Sequence, residues 1–198
     1  MAASITGVNV GRRPGIRARP GFRGIWQARP VPVDSYAFLP RSFRALYENP
    51  PRLEGEDDAV WAPFEGPLAD ATIALLSSAG LYVEATQPSF DVDRERAEPG
   101  WGDPSWRAIP RSTGQGECGM AHLHVNPTDT LADHEVSLPL RALDGLVADG
   151  VVGASAPTHY SVMGYQQAGL ADWRSTTAAE IIARLRDEHV DALVLAPT

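Results

Sequence analysis

Two amphipathic helical patterns, each neighboured by short β-type apolar runs, constrain this chain more than any other feature of it. In "LPLRALDGLVADG", Leu140, Leu143, Leu146 and Val147 share one face, Pro139 suits a first turn and Gly150 suits a C-cap. In "STTAAEIIARLRDEH", the face is Ala178, Ile181, Ile182 and Leu185, and Thr177 with Glu180 reads as a capping box. The apolar runs are "DATIALLSSAG" (70–80), "MAHLHVN" (120–126), "VVGASAP" (151–157) and "VDALVLA" (190–196). Strands alternating with such helices predict right-handed βαβ crossovers and a parallel sheet. The expected class is therefore α/β, a three-layer Rossmann-like domain.

The last run has no polar alternation, so it predicts a strand buried on both faces. No residue follows to cover it. The domain is accordingly expected to be incomplete at its C-terminus or completed by a partner, because an apolar strand is costly to leave as an edge.

Charge divides the rest. Residues 1–29 hold six of the 17 arginines and no acid, while 11 arginines face 25 acids over the remainder. The head is read as a disordered Arg-rich extension, since its Pro and Gly oppose a transit helix and it lacks the apolar core of a signal peptide. Residues 30–58 read as an arm or lid with one helical pattern, Phe43, Leu46 and Tyr47, closed by Asn49 and two prolines. Residues 59–198 form the α/β domain.

Composition also excludes chemistry. There is no lysine, so no Schiff-base or amine-nucleophile lysine exists in these 198 residues. A single cysteine, Cys118, permits no internal disulfide and suits a reducing cytoplasm. The acidic body argues against nucleic acid, and no apolar run approaches the roughly 18 residues of a membrane span. A small molecule or a protein partner remains.

Three stretches carry side chains suited to chemistry. In "AHLHVNPTDTLADHE", His122 and His124 at i, i+2 on a strand would point to one face, with Asp129, Asp133, His134 and Glu135 close behind. This supports three readings: a metal site of two histidines and a carboxylate, a proton-handling cluster, or a pair of satisfied histidines. "SAPTHYSVMG" is expected as the loop after the third strand, where His159 and Tyr160 line a pocket and Gly153 and Gly164 admit close backbone approach; an ordinary loop is the plain alternative. In "GDPSWRAIP", inside a long Pro- and Gly-rich loop over 84–119, Arg107 beside Trp101, Trp106 and Asp103 suits a bidentate carboxylate clamp, or a local pair with the aspartate. No phosphate loop and no G-x-S-x-G nucleophile elbow is present, and a lone Cys118 is more often inert than reactive.

Taken in order, "VWAPFEGPLADATIALLSSAGLYV", "GDPSWRAIP", "HLHVNPTDTLADHE", "LPLRALDGLVADGVVGASAPTHYSVMGY" and "AAEIIARLRDEHVDALVLAPT" resemble the selenoprotein B family of glycine, sarcosine and betaine reductases, in the branch of the selenocysteine subunit of D-proline reductase. The resemblance spans about Trp61 to Thr198. It implies reductive C–N cleavage of a small amine substrate, in an oligomer with a pyruvoyl-bearing partner subunit that activates the amine. It also implies a selenocysteine or cysteine nucleophile in the loop directly after "VDALVLAPT", beyond residue 198, and no cofactor in this chain.

By the same resemblance His122, Asp133, His159, Tyr160, Met163 and Gly164 match family positions. With His124 and Arg107 added from the stretches above, the candidate catalytic side chains are His122, His124, Asp133 and His159, and the candidate substrate-binding residues Arg107, Tyr160, Met163 and Gly164, with no metal. Asn126 and Glu135 depart from the family pattern, which bears on the substrate more than on the fold. A UGA codon read as a stop would explain the ending, and this explanation is favoured over a naturally short gene. Two other classes stay open, a non-catalytic small-molecule or partner-binding module and a metal-dependent hydrolase built on His122 and His124.

Overall fold

A computed structural model describes residues 64–166 and 170–198. The extension expected over 1–29 and the arm expected over 30–58 lie outside the described residues.

After a 3-10 turn at Leu68–Asp70, the chain forms β1 (Thr72–Ser77) and then β2 (Leu81–Val83). A short helix α1 (Val92–Ala97) precedes β3 (Trp106–Pro110) and β4 (Cys118–Met120). Next come α2 (Thr128–Ala132), a 3-10 turn at His134–Val136 and α3 (Leu140–Ala148). The strands β5 (Ala154–Ser155) and β6 (Thr158–Val162) follow. A short α4 (Leu170–Asp172) continues through a π-helical turn (Trp173–Thr177) into α5 (Ala178–Asp187), and β7 (Ala192–Ala196) comes last.

The main sheet is mixed. β1 pairs in parallel with β5 and β6 along one side and with β7 along the other, while β3 pairs antiparallel with β6. β2 and β4 form a separate antiparallel pair. The wholly parallel sheet expected from the sequence is thus corrected. A 3.6-residue period identifies crossover helices, but it says nothing about a strand such as β3 that enters from a loop.

β1 is central, and its alternation divides the core. Ile73 and Leu75 pack with Leu140 and Leu143 of α3 and with Leu81 and Cys118 of the small pair. Ala74 and Leu76 turn the other way, toward Ile181 and Leu185 of α5, with Tyr160 and Val162. Each fully buried Leu or Ile contributes on the order of 2 kcal/mol, so both helices are held mainly by their apolar stripes. The step from β1 to β6 has α3 on one face; the step from β6 back across β1 to β7 has α5 on the opposite face. Reversing both direction and face preserves the hand of the crossover.

Three local expectations change. "MAHLHVN" is strand only to Met120, and residues 121–126 are loop and turn. The expected loop "THYSV" is instead β6. β7 is not buried on both faces among the described residues, with Val194 48% and Leu195 65% exposed, because β1 is the strand it pairs with and its other side is an edge. The helix ends are closer to expectation. Pro139 is the N-cap of α3 and Gly150, at φ +69°, takes the left-handed position after it. The capping box is not formed: Thr177 is already helical, its hydroxyl donates to the Pro104 carbonyl, and Glu180 accepts from the Trp106 indole at 2.7 Å.

Candidate functional site at the carboxyl edge of the sheet

β1, β6 and β7 all run toward one edge, where Ser78 joins them. Its carbonyl accepts from Gly164 N at 3.0 Å, its N–H donates to Ala196 O at 3.3 Å, and its hydroxyl accepts from Thr198 N at 2.8 Å. A Cβ on Gly164 would lie 3.0–3.2 Å from Ser78, so the small residue keeps this junction tight. Two residues on, Gly80 holds the segment after β4: Gly80 N donates to Val162 O at 3.0 Å and Gly80 O accepts from Ala121 N at 2.9 Å. Gly80 sits at φ +67°, and a Cβ there would lie 2.3 Å from Ala121 O, so a side chain is excluded twice over.

That attachment brings His122 and His124 to the edge. Their rings lie 6.1 Å apart, edge to face, and His124 N donates to His122 Nδ1 at 3.2 Å. The proximity expected of a strand is achieved by a turn. Burial, reinforced by His124, holds the His122 imidazole below its ordinary pKa. His124 stacks on Tyr165 at 4.1 Å and its side chain is half exposed. Beneath them Phe90, Ala121 and Met163 form an apolar floor with Tyr82, Val92 and Tyr165 at its margin.

One member of this cluster was absent from the sequence reading. Glu95 of α1 is only 3% exposed, and His124 Nε2 lies 3.2 Å from its Oε1. That separation suits an ion pair but lacks hydrogen-bond alignment, so neither carboxylate oxygen has a hydrogen-bond partner among the described residues. Burial pushes the Glu95 carboxyl up, partly offset by His124. A faint signal existed: Val92 and Glu95 are spaced i, i+3, and Val92 belongs to the apolar floor.

The other candidates are placed elsewhere. His159 lies in β6, fully buried; its Nδ1 accepts from Leu75 N at 3.0 Å and its Nε2 meets Ser155 Oγ at 3.2 Å. Three steps along β1, Ile73 to Leu76, correspond to five along the neighbouring chain, Ser155 to Tyr160. The imidazole fills the ladder position that this bulge leaves open. Accepting at Nδ1 fixes the neutral Nε2–H tautomer, and burial lowers its pKa to about 4. Tyr160 is also fully buried, under Trp106 at 5.7 Å, with its phenol pushed up to about 12 by burial. These two do not line an open loop.

Asp133 caps the 3-10 turn through Glu135 N and pairs with Arg141 Nη2 at 2.7 Å. Arg107 is spent on the protein itself: it donates to Pro88 O, Ser89 O, Ser105 Oγ and Trp106 O at 2.9–3.0 Å and lies over the Phe90 ring. It clasps the 88–90 segment to β3. Met163 is buried in the floor and Gly164 belongs to the Ser78 junction. Cys118 is buried and its thiol is raised to about 11 by burial and by Glu117 and Glu84, the opposite of an activated nucleophile. Among the described residues no three His, Cys, Asp or Glu side chains converge as a metal site, and no helix is long and apolar enough to cross a membrane.

The fold and edge thus define an α/β chain whose histidine-bearing turn is fixed where parallel strands end. No family model matches the sequence, and no solved structure matches it. The chain is similar to the D-proline reductase subunit gamma of Acetoanaerobium sticklandii, with 29% identity over 139 residues. The match covers 69% of this chain and 52% of that protein, so the chain spans about half the length of the curated relative.

Proposed function

We propose that this chain supplies the substrate-facing edge of a selenoprotein-B-type reductase subunit that cleaves a C–N bond in a small amino compound, in the manner of D-proline reductase. The observation that carries the reading is the coincidence of the 139-residue similarity with an edge where His122 and His124 sit side by side. In this reading a selenolate or thiolate attacks the α-carbon and the C–N electron pair leaves with the nitrogen, which takes a proton. A second thiol then attacks the chalcogen, the C–chalcogen pair leaves with the carbon, which takes a proton, and a dithiol reductant reduces the resulting selenosulfide or disulfide. The nucleophile comes from outside these 198 residues, since their one thiol is buried and unactivated. A pyruvoyl group on a partner subunit, in a reducing cytoplasm, activates the amine.

His122, held neutral, donates to the bound substrate and His124 delivers the proton. Arg107, Tyr160, Met163 and Gly164 shape the edge from behind. Asp133 and His159 act through the turn and the sheet they hold.

The test uses the full reading-frame product with its partner subunit, D-proline and other small amines, and a dithiol reductant. Turnover to the ring-opened amino acid is expected, falling about a hundredfold or more in His124→Gln, the lower end for loss of one proton-transfer group. Saturable amine binding without turnover sinks the reductase reading and leaves a binding module.

A further inference from the structure

We propose that Glu95 and His124 form a proton-sharing dyad, in which the buried carboxylate positions the imidazole and holds its proton ready for the leaving nitrogen of the substrate. The proton-delivery role rests on the reductase reading above; the dyad itself does not.

Glu95 is enclosed, 3% exposed, yet both of its oxygens lack hydrogen bonds among the described residues. A buried carboxylate without compensation is costly and neutralises by keeping a proton or by pairing with a cation. The group placed to provide either is His124, 3.2 Å away. Other charges are turned aside. Arg94 binds Glu98 and Arg96 binds Asp93 on the same helix, and Arg107 lies over Phe90 and is committed to main-chain oxygens. Asp103, from the loop before β3, acts on Glu95 in the opposite sense, opposing its ionisation. Its own oxygens are taken by Asp91 N and Ser105 N. His122, beside His124, already accepts a hydrogen bond at Nδ1 and supplies no second cation.

At 3.2 Å a small rotation of the imidazole about its Cβ–Cγ bond aligns Nε2 with Oε1, and one proton then serves two groups. It resides on the carboxyl with a neutral imidazole, or on the imidazole against a carboxylate, and both arrangements have the same net charge. Transfer to a substrate nitrogen leaves the dyad with one negative charge. Reprotonation comes from solvent through His124, whose side chain is half exposed while that of Glu95 is sealed. Stacking on Tyr165 at 4.1 Å and the backbone bond to His122 keep the imidazole in register for both exchanges. Glu95 is a positioning residue, acting through His124.

Two measurements test this on the full chain. Carboxyl NMR should show the Glu95 midpoint rising by about one pH unit or more in His124→Gln, as expected on losing a close cationic partner, and staying in place in His122→Gln. An unmoved midpoint in His124→Gln overturns the dyad. With the active reductase complex, Glu95→Gln should lower kcat at least about tenfold with KM within threefold, and should displace the acid limb of the kcat profile. An unchanged kcat and profile also overturn it. Should Glu95→Gln fail to fold, the Glu95 midpoint in His124→Gln decides the dyad by itself. A wild-type complex inactive on every amine would refute the reductase reading, while the NMR midpoint would still decide the dyad.

Discussion

Two histidine-bearing regions of this molecule are of the same residue type and meet opposite fates. His159 is inside β6, both ring nitrogens occupied, its imidazole substituting for a missing backbone partner in the sheet. His122 and His124 sit on a turn at the carboxyl edge, one partly buried and one half exposed, next to a carboxylate without a hydrogen bond among the described residues. What separates them is whether the surrounding backbone needs the ring. In β6 it does, since without His159 the Leu75 N–H is orphaned in the core. At the edge the turn is mounted by main-chain bonds through Gly80 and Ala121; the backbone takes His122 Nδ1, through His124 N, and leaves His122 Nε2 and the His124 ring to other partners.

The largest expected effect breaks this contrast directly. His159→Ala removes a core side chain and strands a buried N–H, so a loss of about 4 kcal/mol is expected from cavity and hydrogen-bond terms together. His124→Ala should cost less, about 1–2 kcal/mol, because the ring is half exposed and the loss is mainly that of the partner of the buried Glu95 carboxyl. Urea unfolding of both variants measures the gap, and equal losses would refute it.

Next in size is the pH dependence. The folded His159 pKa lies near 4, against an ordinary value of 6.5, so the folded state resists a proton that the unfolded chain accepts. Its contribution to stability is present above pH 6.5 and declines as pH falls toward 4, by about 3 kcal/mol in all. Glu95 carries the opposite sign, its raised pKa favouring the folded state below the ordinary carboxylate range. Subtracting the profile of His159→Asn from that of the wild type isolates the first term. A flat difference between pH 4 and 6.5 would show that His159 is not held neutral.

Arg107→Ala sharpens the comparison on the polar side. Loss of its charge-assisted bonds to the 88–90 segment should cost about 2 kcal/mol, with early proteolytic cleavage near Ser89. Weakened amine binding at full stability would instead return Arg107 to the role of carboxylate clamp. The smallest effect is that of Trp106→Phe, which removes the indole bond to Glu180 at an exposed position. It should lower stability by about 0.5–1 kcal/mol, read from thermal unfolding.

These contrasts also mark what the sequence carried. β1, α3, α5 and β7 were legible because their apolar spacing is enforced by the core: Ile73 and Leu75 face α3, Ala74 and Leu76 face α5. "MAHLHVN" failed because its alternation has a different cause. Ala121 is buried by its bond to Gly80, whereas Leu123, the next residue of the same parity, is 37% exposed. "THYSV" was hidden behind Pro157, which reads as a strand stop although the chain resumes pairing after a bulge closed by a side chain. At the site, His122 and His124 stood out by identity and spacing. Glu95 did not, because α1 has four charged residues in six and only the i, i+3 spacing from Val92 sets it apart.

The close approach of Gly80 to Ala121 has a consequence for how such a protein can change over time. The attachment uses main-chain atoms and depends on one residue having no side chain, so it is indifferent to what occupies residues 122–126. Substitutions in that turn can retune the chemistry presented at the edge while its mounting stays fixed. A side chain at position 80 would displace the whole turn at once. The molecule has therefore separated the part that can be edited freely from the joint that cannot.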